Sequence, residues 1–253
     1  MILDSFSLQG KVAIVTGCNT GLGQAMAIGL AEAGCSVVGV NRSHPAETIE
    51  KMQLGGHHFL DLRADLLKQD VIPEIITKAL SHFHQIDILV NNAGIIRRAD
   101  AVDFTEQDWD DVMNVNSKTA FFMAQAVAKQ FIKQGRGGKI INIASMLSFQ
   151  GGIRVPSYTA SKSALMGLTR AMANEWAKHN INVNAIAPGY METNNTKALR
   201  ADEDRNAAIL ERIPAQRWGK PDDVKGPCVF LASEAANYIN GYTIAVDGGW
   251  LAR

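Results

Sequence analysis

The chain lacks most of the features that mark a special-purpose protein, and each lack excludes a class. Its three cysteines, Cys18, Cys35 and Cys228, are odd in number and far apart. That is no disulfide framework; it suits packing residues in a reducing, cytosolic compartment. Neither charge is in surplus, since 25 Lys and Arg balance 25 Asp and Glu. A nucleic-acid partner would call for a basic excess, so none is expected. No run of about 18 apolar residues occurs, so no membrane span is expected. Met1 to Lys11 contains no charged segment leading into an apolar one, so no secretory signal is expected. Linkers rich in Pro, Gly or Ser, low-complexity stretches and repeats are absent too. The expectation is one domain over 1–253, with 47% hydrophobic and 20% charged residues, large enough to bury a sizeable core without staples.

What is present is an alternation. Short β-branched runs at Lys11–Thr16, Ser36–Asn41, His57–Leu60, Ile86–Asn91, Lys139–Ala144, Ile181–Ala187 and Thr243–Val246 read as seven strands. Helical periods at 21–34, 46–54, 69–83, 106–134, 157–179, 195–212 and 222–232 lie between them. Strands alternating with helices imply parallel strands joined by right-handed crossovers. The fold class expected is α/β: a Rossmann-type, doubly wound three-layer sandwich with a seven-stranded parallel sheet.

Thr16-Gly17-Cys18-Asn19-Thr20-Gly21-Leu22-Gly23 stands between the first strand and the first helix. Glycines there allow a tight turn and close approach to a pyrophosphate, and the following helix offers free N–H groups. The end of the second strand, Asn41-Arg42, bears on which dinucleotide binds. Asn41 could bond ribose hydroxyls; Arg42 could pair a 2′-phosphate, stack on adenine or face solvent. Asp65, followed by Leu66, is either an adenine contact or a helix N-cap. Asn91-Asn92-Ala93-Gly94 closes the fourth strand, where either a cofactor contact or a plain turn would fit.

Tyr158 and Lys162 are four residues apart on a predicted helix, hence on one face. An ammonium beside a phenol favours the phenolate, and such a pair can exchange a proton with a carbonyl/hydroxyl couple. Among four tyrosines, one such match arises by chance about one time in four. Ser145, just past the fifth strand, adds specificity because its hydroxyl could hold a substrate oxygen at the same sheet edge. Asn116 sits within the long helix, as a water anchor for a proton relay or as a local irregularity. Pro188-Gly189-Tyr190-Met191-Glu192-Thr193 follows the sixth strand, with backbone and a Thr193 hydroxyl available to a carboxamide, or simply a Pro-Gly turn. His57, His58, His82 and His84 do not make a metal site.

Together, T-G-x-x-x-G-x-G, N-N-A-G, the helical Asn, Ser, Y-x-x-x-K and P-G-x-x-x-T resemble the short-chain dehydrogenase/reductase family, from about residue 8 to Asp247-Gly248-Gly249. The resemblance implies that Tyr158 is acid/base and that Lys162 tunes it and meets the ribose. It makes Ser145 the substrate-oxygen contact and Asn116 the relay residue. It also implies that Gly17, Asn19 to Gly23, Asn41, Arg42, Asp65, Leu66, Asn92 to Gly94, Pro188, Gly189, Met191 and Thr193 surround NAD, with NADP possible. Residues 91–98 and 190–219 are most similar to family members that act on keto sugar acids in pectin and uronate breakdown. About 190–215 would form a substrate lid. A sugar acid needs a cation for its carboxylate: Arg154 is the expected substrate contact, with Arg97, Arg98 and Arg217 as further candidates. Family members commonly pair through their two long helices as homotetramers.

Overall fold

The computed structural model describes residues 1–253. Seven parallel strands form one sheet in the order β3-β2-β1-β4-β5-β6-β7. They are β1 (Val12–Thr16), β2 (Ser36–Asn41), β3 (Phe59–Arg63), β4 (Ile88–Asn91), β5 (Gly138–Ile143), β6 (Ile181–Pro188) and β7 (Thr243–Val246). Every residue of β1 and β4 is buried, as parallel strands covered on both faces must be.

Helices α1 (Gly21–Glu32), α2 (Ala46–Leu54), α3 (Ile72–Phe83), α4 (Glu106–Met113), α5 (Ala120–Gln134) and α6 (Pro156–Trp176) follow β1 to β5. Three shorter ones, α7 (Lys197–Ala201), α8 (Glu203–Arg212) and α9 (Lys225–Ala232), lie between β6 and β7. One face of the sheet packs Val15, Val37 and Ile186 against Met26, Leu30, Cys228 and Leu231 of α1 and α9. The other packs Ile14, Val38 and Ile140 against Ile75, Val127 and Phe131 of α3 and α5. The three cysteines are free and buried.

Three expectations shift. The third strand is Phe59–Arg63 rather than His57–Leu60. It is the sheet edge, only partly buried, so Asp61 and Arg63 can continue a strand that an apolar run would end. The helix expected over 106–134 is broken by a π-helical turn at Asn114–Thr119. The helix expected over 195–212 divides at Asp202, whose carboxylate accepts the Arg205 N–H and starts α8 afresh.

The topology reverses between β1 and β4. Strands to one side are reached through α1 and α2, those to the other through α3 to α9. A crevice must open there beyond the carboxyl ends of the strands.

Candidate active site

A cleft of about 460 Å³ occupies that crevice. Its floor is two loops tied together by Thr16. The Thr16 hydroxyl accepts the N–H groups of Asn92 and Ala93, each at 3.0 Å. In return the Asn92 amide donates to the carbonyls of Thr16 and Gly17, each at 2.9 Å. The packing explains two glycines. A Cβ on Gly23 would lie 2.1 Å from the Gly17 carbonyl oxygen, and one on Gly17 would press on Ala93 Cα at 3.0 Å. Asn92 thus braces the turn, which is what its side chain does in this fold.

Helix α1 opens into the cleft. Its N-cap, Thr20, makes no side-chain cap bond, and Asn19, Thr20, Leu22 and Gly23 line the wall. First-turn N–H groups without partners, at the positive end of a helix, form a donor set suited to a pyrophosphate. The Gly21 backbone has φ 58°, and a Cβ there would stand 3.6 Å from the Thr193 methyl.

The adenosine end differs from expectation. Asn41 is turned inward: it is 2% exposed, and its amide approaches Cys18 Sγ and Asp61, each at 3.5 Å. Arg42 and Ser43 line the cleft instead. Ser43 accepts from the Asn19 amide at 2.9 Å, while the exposed Arg42 guanidinium forms no ion pair. Asp65 lines the cleft and also accepts the Leu67 N–H at 3.1 Å. It thus makes a turn with one oxygen and keeps the other free. Leu66, Gly94, Pro188, Gly189, Met191 and Thr193 are in the lining as well.

Tyr158, Lys162 and Ser145 converge at the far end. Tyr158 and Lys162 lie on α6, with the Lys162 ammonium 5.6 Å from the phenol ring centre. Lys162 is 4% exposed and donates to the Ile143 carbonyl at the end of β5, 2.5 Å away. Burial pushes its pKa down to about 8. The same burial pushes the Tyr158 phenol up, while the Ser145 hydroxyl and the charge of Arg98 pull it back. Ser145 is 7% exposed and its hydroxyl accepts the Leu147 N–H at 3.2 Å.

Asn116 stands behind this wall, outside the lining. Its amide oxygen accepts the Ile95 N–H at 2.8 Å, and its amide nitrogen donates to the Ile95 carbonyl at 2.9 Å and to Ser161 at 3.0 Å. The π-helical turn carries it to that position. Its side chain clamps the segment after Gly94 onto α6 rather than reaching into the cavity.

Of the four arginines, three are occupied. Arg154 is turned away, 60% exposed and 3.0 Å from Asp100, so the structure does not bring it to the cleft. Arg217 pairs with Asp223 at 2.7 Å. Arg97 reaches the lining but is held by Asp108 and Asp111 at 3.2 and 3.4 Å. Arg98 has no carboxylate partner; it donates to the Asn195 carbonyl at 3.0 Å, and its charge is felt at Tyr158. Sequence reasoning missed Ser43, Ile95, Val115, Asn195 and Thr196 in the lining. Ser43, Ile95 and Val115 each adjoin a residue the sequence singled out, and Asn195 and Thr196 follow Thr193 closely.

Residues beyond Thr193 roof the cavity. A bridge between Met191 and Gly219 fixes their base. Tyr190 packs edge-on against Trp218 and Trp250, with ring centres 5.4 and 4.8 Å apart. Farther out, Arg200 holds the Thr193 carbonyl only loosely, at 3.4 Å.

A cleft with a helix terminus at one end and a tyrosine–lysine–serine cluster at the other can bind a dinucleotide and exchange a proton at a substrate oxygen. Known proteins agree. A family described as enoyl-(acyl carrier protein) reductase matches residues 17–251. The chain is 71% identical to the 2-dehydro-3-deoxy-D-gluconate 5-dehydrogenase of Escherichia coli over 253 residues, all of both chains. It superposes on a gluconate 5-dehydrogenase from Burkholderia cenocepacia in complex with NADP and tartrate, with TM-score 0.95, 39% identity and 100% of both chains covered. It superposes equally well, TM-score 0.95 at 34% identity and full coverage of both, on a short-chain type dehydrogenase/reductase from Mycobacterium marinum. The chain therefore belongs to the short-chain dehydrogenase/reductase family, in the branch that carries the enoyl-(acyl carrier protein) reductase description.

Proposed function

We propose that this chain interconverts 2-dehydro-3-deoxy-D-gluconate and 3-deoxy-D-glycero-2,5-hexodiulosonate, using NAD(H) and accepting NADP(H), in uronate and pectin breakdown. The observation that carries the reading is Arg98, the one of the four candidate arginines without a carboxylate partner, whose charge reaches Tyr158. It suits a substrate with an anionic end and a ketone or secondary alcohol at the other. The activity named for the Escherichia coli relative supports the particular sugar acid.

The bound nicotinamide supplies the hydride donor or acceptor. The protein's own residues handle the proton and the orientation. In reduction, Tyr158 donates its phenolic proton to the ketone oxygen as that oxygen gains charge; in oxidation it takes the alcohol proton. Ser145 donates a hydrogen bond to the same oxygen. Lys162 stabilises the phenolate electrostatically once the proton has left. Asn116 is a positioning residue, holding Ile95 and Ser161 in register. Arg98 takes the substrate carboxylate, in place of the Arg154 expected from the sequence, and its bond to Asn195 links that event to closure of the 190–215 lid.

Arg42, which forms no ion pair, favours tolerance of a 2′-phosphate, and the end of β2 carries the inward-facing Asn41 rather than an acid that would reject it. We also propose a cytoplasmic homotetramer. Trp109, Phe122 and Ile132 on α4 and α5 are exposed apolar residues suited to packing against a second copy.

The test is a substrate panel. The hexodiulosonate and 5-keto-gluconate should turn over far faster than steroid ketones or β-ketoacyl thioesters. Equal or better turnover of a ketone without a carboxylate would overturn the assignment.

A further inference from the structure

The amino edge of the sheet, opposite the cleft, holds a second cavity of about 630 Å³. Strand register builds its floor. Lys11 precedes β1, Asp87 precedes β4, Lys139 is the second residue of β5 and Asn182 the second of β6. The order β1-β4-β5-β6 sets these four side by side. Glu234 and Asn237, ahead of β7, complete the wall.

The polar partners inside do not balance. The Lys139 ammonium donates to the amide oxygens of Asn182 and Asn237, at 2.8 and 2.6 Å. Neither Lys139 nor Lys11 has a carboxylate within ion-pair distance. Asp87 is engaged elsewhere: it accepts the Val12 N–H at 2.8 Å, the Gln85 amide at 3.0 Å and Arg136 at 3.3 Å. Glu234 is exposed and acts on Lys139 only at a distance. Two like charges thus face one concave space, one of them drawn well into the protein and held by neutral oxygens alone. Such an arrangement costs free energy until an anion enters.

We infer that this cavity binds a small oxyanion, a carboxylate or a phosphate, between Lys11 and Lys139. Lysine ammoniums act on such a group as point charges, with the remaining Lys139 proton free to donate. The site stands at the opposite end of β5 from Lys162, so it is separate from the dinucleotide cleft. Burial brings Lys139 down to about 8, with Lys11 pushing the same way and Glu234 opposing. The other charged groups facing it are Arg136 and Asp87, which are paired with each other. An anion therefore binds the protonated form, and its affinity falls as pH rises through about 8.

Titration calorimetry on the full chain tests this, with the cleft filled by NADP⁺ and ionic strength matched with chloride. The probes are inorganic phosphate and malonate. The expected result is one site per chain for at least one probe. Affinity should fall about tenfold, as for loss of one charge contact, in each folded variant of Lys139→Met and Lys11→Gln, and severalfold between pH 7 and pH 9. The tighter probe identifies the class of anion. No heat with either probe, or unchanged affinity in a folded variant, would overturn the inference; a flat pH response would remove Lys139 from the site.

Discussion

Lys162 and Lys139 sit at opposite ends of one strand, and both are drawn into the protein far enough to bring their pKa values to about 8. Their surroundings separate them. Lys162 has one backbone carbonyl, at the end of β5, and a tyrosine ring beside it. Lys139 has two side-chain amides and a second lysine. At the carboxyl edge the buried charge faces a group that can lose a proton, so burial serves chemistry. At the amino edge it is held by two amides that do not titrate, so burial serves binding. The ends of a parallel sheet are thus not equivalent even where the same residue type is buried to similar effect.

The largest expected effect breaks the symmetry outright. Tyr158→Phe should lower kcat by roughly 10²–10⁴-fold, the range for losing a general acid–base group. Lys162→Met should do nearly the same, whereas Lys139→Met should leave kcat within about twofold of the parent. Comparable losses at both lysines would erase the distinction.

Next in size is the substrate cation. Arg98→Ala should raise KM for the sugar acid about tenfold or more, the scale of a lost charge-assisted bond, with a smaller effect on kcat. Arg154→Ala should leave KM unchanged, because that guanidinium is turned to Asp100. The reverse ranking, read from steady-state kinetics, would restore the sequence-based expectation.

Stability offers a third contrast, with a defined sign. Each lysine has a folded pKa near 8 against an ordinary 10.5. Between those values the unfolded chain holds the proton and the native chain does not, so these groups make stability rise with pH across about 8 to 10.5. Below that window both ammoniums are charged and the burial cost is fully present. Lys162→Met should therefore raise Tm at pH 7 and lessen the rise above pH 8. Lys139→Met should gain less, since it strands two amide oxygens. A lower Tm for Lys162→Met at pH 7 would contradict this reading.

The smallest effect concerns the cofactor. Arg42→Ala should raise KM for NADPH severalfold and change NADH little, as fits loss of one exposed phosphate contact. A matching rise for NADH would mean that Arg42 stacks on adenine instead.

The inner sheet was readable in the sequence because buried parallel strands such as β1 and β4 are continuous apolar runs, and the edge strand β7 also fell where expected, at Thr243–Val246. The edge strand β3 was misplaced by its polar residues. The π-helical turn left no pattern beyond a helix-poor Asn114-Val115-Asn116. Tyr158, Lys162 and Ser145 were legible because spacing and strand ends determine their meeting. Side-chain direction was not legible. Asn41 could turn inward because Cys18 and Asp61 lie behind it. Arg154 takes φ 64°, a backbone conformation that no pattern of charge announces. Ion pairing decided among the arginines, and pairing is a property of the folded surface. The amino-edge cavity was equally hidden, since its residues come from the starts of four strands and the segment ahead of β7 and share no motif.

The most direct measurement is absorbance at the nicotinamide band with 3-deoxy-D-glycero-2,5-hexodiulosonate, NADH and NADPH in parallel, on the parent chain and on Tyr158→Phe. Rapid oxidation of NADH, some oxidation of NADPH, and near-total loss of both in the variant is the predicted result. Undiminished turnover in Tyr158→Phe, or none in the parent with either cofactor, would contradict the account.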